Sequence, residues 1–378
     1  MSWTLWITGP PASGKSALAS GLAAALARRG VRVALVDLDS FRDVATPSPA
    51  YTDPERRLVY RSLVWVARTL TGAGVPVVID AAAHRREWRE LARASLAPFA
   101  EVQLRCPPEI RRERETRPAV PAPRGIYERA GRPGATAPGV DIPHEPALAP
   151  ELEIDTSREP VEAAVERVVA LALRLAGSVA PRPAAAGAGW ALWITGLPGS
   201  GKTTIARSAA AALSTAGTAA AVLELTDLRA FVVGDHAAAP DEEALIHRVL
   251  VYAAKRLIEA GVPVLVDATA PRRVWREHAR RLIRPFAEVQ LLCPAEICAS
   301  RERAVRWGLG GATGAPAART GTPEIVLEYE TGLTPEVVIH TDVEDLWTST
   351  ETVLVLARRL HASVGRARES AWTPSARD

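Results

Sequence analysis

Apolar and polar residues along the chain fall into two rhythms. Short apolar runs at 4–8 (TLWIT), 31–37 (VRVALVD), 75–80 (VPVVID), 100–106 (AEVQLRC) and 151–155 (ELEID) read as strands. Between them, 16–30, 54–74 and 86–96 space their apolar residues three and four apart, as helices lying on a sheet do, and Gly30 supplies a helix stop. Strands alternating with helices predict a parallel sheet covered on both faces, the three-layer α/β/α arrangement.

The whole pattern then recurs. Shifted by 187 residues, the chain overlays itself without a gap from Trp3/Trp190 to Ile110/Ile297, with about half of the positions identical. PFAEVQL returns whole at 98–104 and 285–291, and GVPV at 74–77 and 261–264. A period this long marks a duplicated domain, not a solenoid repeat. The expected organisation is a first domain over 1–178, a linker at 179–189 (VAPRPAAAGAG), a second domain over 190–364 and a polar tail at 365–378. At 378 residues each half is long enough to bury its own core.

Composition narrows the classes. Hydrophobic residues make up 48% and charged residues 24%, a globular balance. A net charge of +3 gives no reason to expect a nucleic-acid or membrane partner, and the basic stretches RREWRELARASL and RRVWREHARRLI read as solvated helix faces. Cys106, Cys293 and Cys298 are too few for a disulfide framework; a reducing cytoplasm is expected, with Cys106 and Cys293 as buried thiols. No leader-like stretch and no apolar run of about 18 residues is seen. Trp3/Trp190, Trp6/Trp193 and Trp88/Trp275 recur as matched pairs and are expected in the core.

The chemistry begins where the first strand of each half ends. G-x-x-x-x-G-K-[ST] is met at Gly9, Pro10, Pro11, Ala12, Ser13, Gly14, Lys15 and Ser16. It is met again at Gly196, Leu197, Pro198, Gly199, Ser200, Gly201, Lys202 and Thr203. Each copy lies between a predicted strand and a predicted helix, the context of a P-loop. Loop amides and the helix N-terminus would wrap the phosphates of ATP, Lys15 or Lys202 would meet the β/γ oxygens, and the Ser16 or Thr203 hydroxyl would ligate Mg²⁺. The fold expectation is therefore two tandem P-loop NTPase-type α/β/α domains. The second strand ends in VDLDSFRD, which sets Asp37 and Asp39 at the carboxyl edge of the sheet. There a carboxylate can take a hydroxyl proton and help hold Mg²⁺ water, or simply cap the next helix.

These residues give the first half a resemblance to the adenylylsulfate (APS) kinase family, over essentially all of 3–175. DLDSFR (37–42) is similar to the family's D-G-D-N-[VL]-R; Arg56 in TDPERR falls on the Arg of S-E-E-D-R, and Tyr51 on its Phe. PPEIRRERE (107–115) puts Arg114 on the lid-side arginine, RGIYERA (124–130) resembles K-G-L-Y-x-K-A, and GVDIPHEP…PELEIDT (139–156) resembles G-I-D-x-P-Y-E-x-P…P-[ED]-L-x-[IL]-D-T. The resemblance implies a Mg-ATP-dependent kinase acting on the 3′-hydroxyl of adenylylsulfate. It implies Lys15, Asp37 and Arg114 as catalytic groups, with Asp37 the base or Mg-water anchor. Asp39, Arg42, Tyr51, Arg56 and Ile126 would then hold the acceptor. A homodimer, or pairing of the two domains within the chain, is the assembly left open.

The departures are specific. Ala81-Ala82-Ala83-His84 replaces the family's F-I-S-P, removing its serine; ATAPG (135–139) replaces the lid K-N-F-T-G; Val59 replaces an Asn. His84 reads either as a substrate contact or as an exposed histidine. Asp80 and Asp267, ending apolar strands, resemble Walker-B-type positions and the wider P-loop kinases that include polynucleotide-kinase-like enzymes. Each would order Mg²⁺ water, with Arg85 and Arg86 meeting phosphate, or would cap the helix that follows. In the second half Asp37 becomes Glu224, Asp39 becomes Thr226 with Asp227 one residue on, Arg42 is kept as Arg229, and Arg56 becomes Glu243. GLGGATGAPAARTGTPEIV (308–326) offers no match to G-I-D-x-P-Y-E, and only PEVVIHTD (335–342) looks family-like. Two readings of the chain stay open: a small-molecule kinase working through its first half, on adenylylsulfate or another hydroxyl compound, or a nucleotide-binding regulator that phosphorylates no acceptor.

Overall fold

The structure, a computed structural model, describes residues 2–116, 139–178, 189–234, 238–306 and 329–371. The chain separates into two compact units, Met1–Ala184 and Ala185–Asp378.

In the first unit the strands are β1 (Thr4–Thr8), β2 (Ala34–Asp37), β3 (Val77–Asp80), β4 (Phe99–Arg105) and β5 (Leu152–Asp155). They form a parallel sheet in the order β2-β3-β1-β4-β5. The helices are α1 (Lys15–Arg28), α2 (Leu38–Ala45), α3 (Asp53–Gly72), α4 (Arg86–Ser95), α5 (Pro108–Thr116) and α6 (Val161–Gly177). Because side chains alternate along a strand, Leu5 and Ile7 of β1 join Leu18, Leu22 and Leu26 of α1 and Val168 and Ala172 of α6 in one core. Trp6, on the opposite face, is fully buried and donates Nε1–H to the Ala81 carbonyl at 3.0 Å.

The second unit repeats this plan. Its strands β6 (Ala191–Thr195), β7 (Ala221–Glu224), β8 (Val264–Asp267), β9 (Phe286–Leu292) and β10 (Val337–His340) run parallel in the order β7-β8-β6-β9-β10. Its helices are α7 (Lys202–Thr215), α8 (Leu225–Val232), α9 (Pro240–Glu259), α10 (Arg273–Leu282), α11 (Ala295–Arg306) and α12 (Leu346–Ala371). Trp190, Leu192 and Ile194 pack with Ile205, Ala209 and Val353 in its core. Among the described residues no helix is long and apolar enough to cross a membrane.

In both sheets the order places β1 or β6 between its neighbours, so the loop leaving its carboxyl end opens at a topological switch point. The candidate chemistry gathers there.

Candidate functional site

The P-loop geometry follows from its glycines. Gly14 caps α1 with φ +97°, and a Cβ on Gly9 would come within 2.8 Å of Ser13 Oγ and 3.0 Å of Leu104 Cβ. No side chain caps α1 and no acidic residue occupies its first turn, so the amides and positive end of a 14-residue helix face the loop. Ala12 takes φ 56° where the second unit has Gly199; a Cβ on Gly199 would meet the Cys298 carbonyl oxygen at 2.3 Å, which explains the glycine there. Ser13 Oγ and Ser200 Oγ are buried without a hydrogen-bond partner. Lys15 Nζ donates to the Pro10 carbonyl at 3.1 Å, and Lys202 Nζ to that of Leu197 at 2.9 Å. Burial lowers the Lys15 pKa, while Asp80, Asp39 and Asp37 act to raise it.

Asp80 is the partner whose role the sequence leaves ambiguous. It is 4% exposed at the end of β3, in register with Asp37 on β2, and the Ser16 hydroxyl donates to it. Burial raises its carboxyl, and Lys15 and Ser16 act against the rise. In the second unit the Thr203 hydroxyl donates to Asp267 in the same way. The helix-cap alternative fails, since α4 and α10 are capped at Arg85 and Arg272. A hydroxyl beside a buried carboxylate is a hard-oxygen set suited to Mg²⁺ and its water.

On the other side of the loop Asp37 caps α2, accepting from Ser40 N and Ser40 Oγ at 2.8 Å each. Asp39 stands in the first turn of α2. The surrounding protein and then Asp37 raise its carboxyl, opposed by Lys15 and Arg42. Arg42 meets Glu55 Oε1 through one nitrogen at 2.9 Å, and its guanidinium lies 5.1 Å from the Tyr51 ring centroid. Arg56 is 3% exposed, with Nη1 3.8 Å from Asp53 Oδ1.

Three expectations are corrected at the exit of β3. His84 is 1% exposed, not on the surface; both ring nitrogens are buried without hydrogen-bond partners, and its edge meets Trp88 at 4.9 Å. Burial first, then Arg56, Arg85 and His144, lowers its pKa to about 4. Arg85 pairs with Asp53, and Arg86 binds Glu145 Oε2 through its amide at 2.6 Å and the Pro146 carbonyl through Nε at 3.1 Å, so these two contacts hold neighbouring segments, not phosphate. Nor is the helix face solvated at Arg89: fully buried, it reaches Glu101 at 2.6 Å and donates to the Ala83 and Glu145 carbonyls, and Arg276 does the same with Glu288, Ala270 and Glu330. Cys106 and Cys293 are likewise only half-buried.

Arg114 crosses over the loop. It donates to Thr156 Oγ1 at 3.0 Å, and a Cβ on Gly14 would lie 3.8 Å from its Nη1. Thr156 in turn donates to the Ser13 carbonyl at 2.8 Å. Arg111, one turn earlier on α5, is 8% exposed, donates to the Gly139 carbonyl at 3.0 Å and helps lower Lys15. Sequence reasoning does not select it, although the three-residue spacing from Arg114 is a signal for a shared face. Ile126 and the segments 124–130 and 135–138 lie outside the described residues.

The second unit keeps more of its lid side than its sequence suggests. Arg301 and Thr341 repeat the Arg114–Thr156 arrangement, with Arg301 Nη2 to the Thr341 carbonyl at 2.7 Å and Thr341 Oγ1 to the Ser200 carbonyl at 2.9 Å. Tyr329-Glu330 stands where His144-Glu145 stands: Glu145 N donates to His84 O at 2.8 Å and Glu330 N to Pro271 O at 3.0 Å. Thr8 Oγ1 lies 3.2 Å from His144 Nε2, and Thr195 Oγ1 lies 3.0 Å from the Tyr329 hydroxyl. The expected loss of any P-Y-E counterpart is thus corrected. The counterpart is offset by 185 residues instead of 187, so a gapless overlay steps past it.

Two parallel sheets, each with a P-loop, a hydroxyl–carboxylate pair and an arginine over the loop, define a tandem P-loop kinase fold. The family model described as adenylylsulphate kinase matches residues 1–155 and again 188–340. The chain belongs to the adenylylsulphate kinase family, and it is a phosphotransferase. A probable adenylyl-sulfate kinase of Archaeoglobus fulgidus is 36% identical over 161 residues, covering 42% of this chain and 98% of that protein. The adenylyl-sulfate kinase of Microcystis aeruginosa is 32% identical over 44% of this chain and 88% of its own length. The solved Mycobacterium tuberculosis APS kinase, in complex with AMPPNP and APS, is 26% identical, covers 45% of this chain and 96% of that one, and has a TM-score of 0.41.

Proposed function

We propose that the first half transfers the γ-phosphate of Mg-ATP to the 3′-hydroxyl of adenylylsulfate. The observation that carries this reading is the position of Asp39. It stands in the first turn of α2, three residues before Arg42 on the same helix and two after Asp37, the register partner of the Asp80 that accepts from Ser16 of the phosphate loop, and so lies between the phosphate and acceptor sides of a transfer site. Lys15 and the α1 N-terminus hold the β/γ phosphates, and Ser16 with Asp80 holds Mg²⁺ and its water. Asp37 receives or orients the hydroxyl proton; Arg42, Arg56 and Tyr51 bind the anionic acceptor, and Arg114 covers the nucleotide. Bound Mg²⁺ would neutralise charge developing between the β and γ oxygens.

Incubation with Mg-ATP and adenylylsulfate should give ADP together with a 3′-phosphorylated product. ADP formation that does not depend on adenylylsulfate would overturn this acceptor. One observation favours a second acceptor of similar charge: His84 and His144 stand where the family has a Pro and a Tyr, so the residues packed around the exit of β3 differ. A panel of phosphorylated or sulfated hydroxyl compounds in the same assay separates the two.

A further inference from the structure

We infer that the second half is a Mg-nucleotide site that binds without transferring phosphate. This deepens the proposal that transfer belongs to the first half, and it rests on groups in the second half alone.

The binding side is intact. Gly201 caps α7 in the left-handed conformation, with no side-chain cap and no acidic residue in the first turn. Ser200 Oγ, fully buried inside the loop, has no hydrogen-bond partner. Lys202, the Thr203–Asp267 pair and Arg301 over the loop all match the first half. These are the groups that grip phosphates and Mg²⁺ water.

The transfer side is occupied by its own ion pairs. Where the first half has Ser20 on α1, the second half has Arg207 on α7. Arg207 holds Glu224 Oε1 through Nε at 2.8 Å and Nη2 at 2.7 Å. Glu224 gives α8 no side-chain cap, so the longer acid has left the position that Asp37 keeps. Thr226 replaces Asp39, and Asp227 is one residue on, about 100° further round the helix. Arg229 is taken at both prongs by Glu243, Nη1–Oε1 and Nη2–Oε2 each at 2.7 Å, whereas Arg42 meets Glu55 at one nitrogen. Three changes therefore fall on one function. The base is bridged, the carboxylate linking the two subsites is lost, and the acceptor arginine is neutralised by a bidentate partner.

Counting bound AMP-PNP with Mg²⁺ on the full chain tests this, alongside acceptor-dependent ADP release. Wild type should bind two nucleotides per chain. Lys15→Ala should bind one and lose ADP release by at least about 100-fold, and Lys15→Ala/Lys202→Ala should bind none. Circular dichroism and a nucleotide-dependent melting shift show whether each variant is folded. Lys15→Ala, folded but binding no nucleotide, would overturn the inference, as would acceptor-dependent ADP release retained in that variant. Two nucleotides bound by a wild type that phosphorylates no adenylylsulfate would uphold this inference and overturn the first-half acceptor instead.

Discussion

Asp37 and Asp80 are register partners on adjacent parallel strands, and Lys15 interacts with both. Two carboxylates side by side repel, and burial raises Asp80 further; a cation between them relieves the repulsion. Lys15 supplies part of that charge, and Mg²⁺ at Ser16 and Asp80 would supply more.

Asp80→Asn should therefore lower kcat by about 100-fold or more and raise the Mg²⁺ concentration for half-maximal rate. Magnesium titrations of steady-state rate check this. A variant that melts lower but keeps the wild-type magnesium dependence would assign Asp80 to packing alone.

Arg42 should govern the acceptor and not the nucleotide. Arg42→Ala is expected to raise the acceptor KM by about 10- to 100-fold, as expected for loss of a charged hydrogen bond of roughly 1.5–3 kcal/mol. The ATP KM should move little. Product formation at varied acceptor and at varied ATP separates the two effects.

Much of the fold and of the phosphate-binding side is legible in the amino-acid sequence. The apolar runs mark the strands of both sheets because a strand covered on both faces leaves few positions for polar residues. The P-loop is legible because its backbone geometry needs glycine at Gly9 and Gly14. What escapes has a common cause: polar side chains satisfied over long sequence distances. Arg89 looks solvated on a helical wheel, since its partners Glu101 and Glu145 come from a strand and a lid segment far along the chain. His84 looks exposed for want of a visible apolar neighbour, yet it packs against Trp88. Tyr329 is hidden by a two-residue change in spacing.

The Arg89–Glu101 pair makes a stability prediction. Both side chains are at most 1% exposed and 2.6 Å apart, and Arg89 also fixes two carbonyls at the β3 exit and the lid side. Glu101→Gln leaves a buried guanidinium without its counter-charge, a loss of about 3–5 kcal/mol. The first unit should melt well before the second, giving two calorimetric transitions. A single transition at the wild-type temperature would contradict it.

Acid stability should depend on two histidines, the buried His84 and the half-buried His144. His84 and His144 are lowered to about 4, chiefly by burial, from 6.5 when unfolded. Between those values the unfolded chain binds the protons that the folded chain refuses, so stability is full above pH 6.5 and falls as pH drops towards 4. Each histidine can account for up to about 3 kcal/mol of that fall. Arg56, Arg85 and His144 face His84 and reinforce the effect, with Asp53 opposing it. His84→Leu removes one share, so the melting temperature of the variant relative to wild type should rise by several degrees as pH falls from about 7 to about 4.5. Comparing the two proteins at both pH values cancels the packing change, which is the same at each. A difference that does not move with pH would mean that His84 titrates near its ordinary value, and that its ring nitrogens find partners on folding.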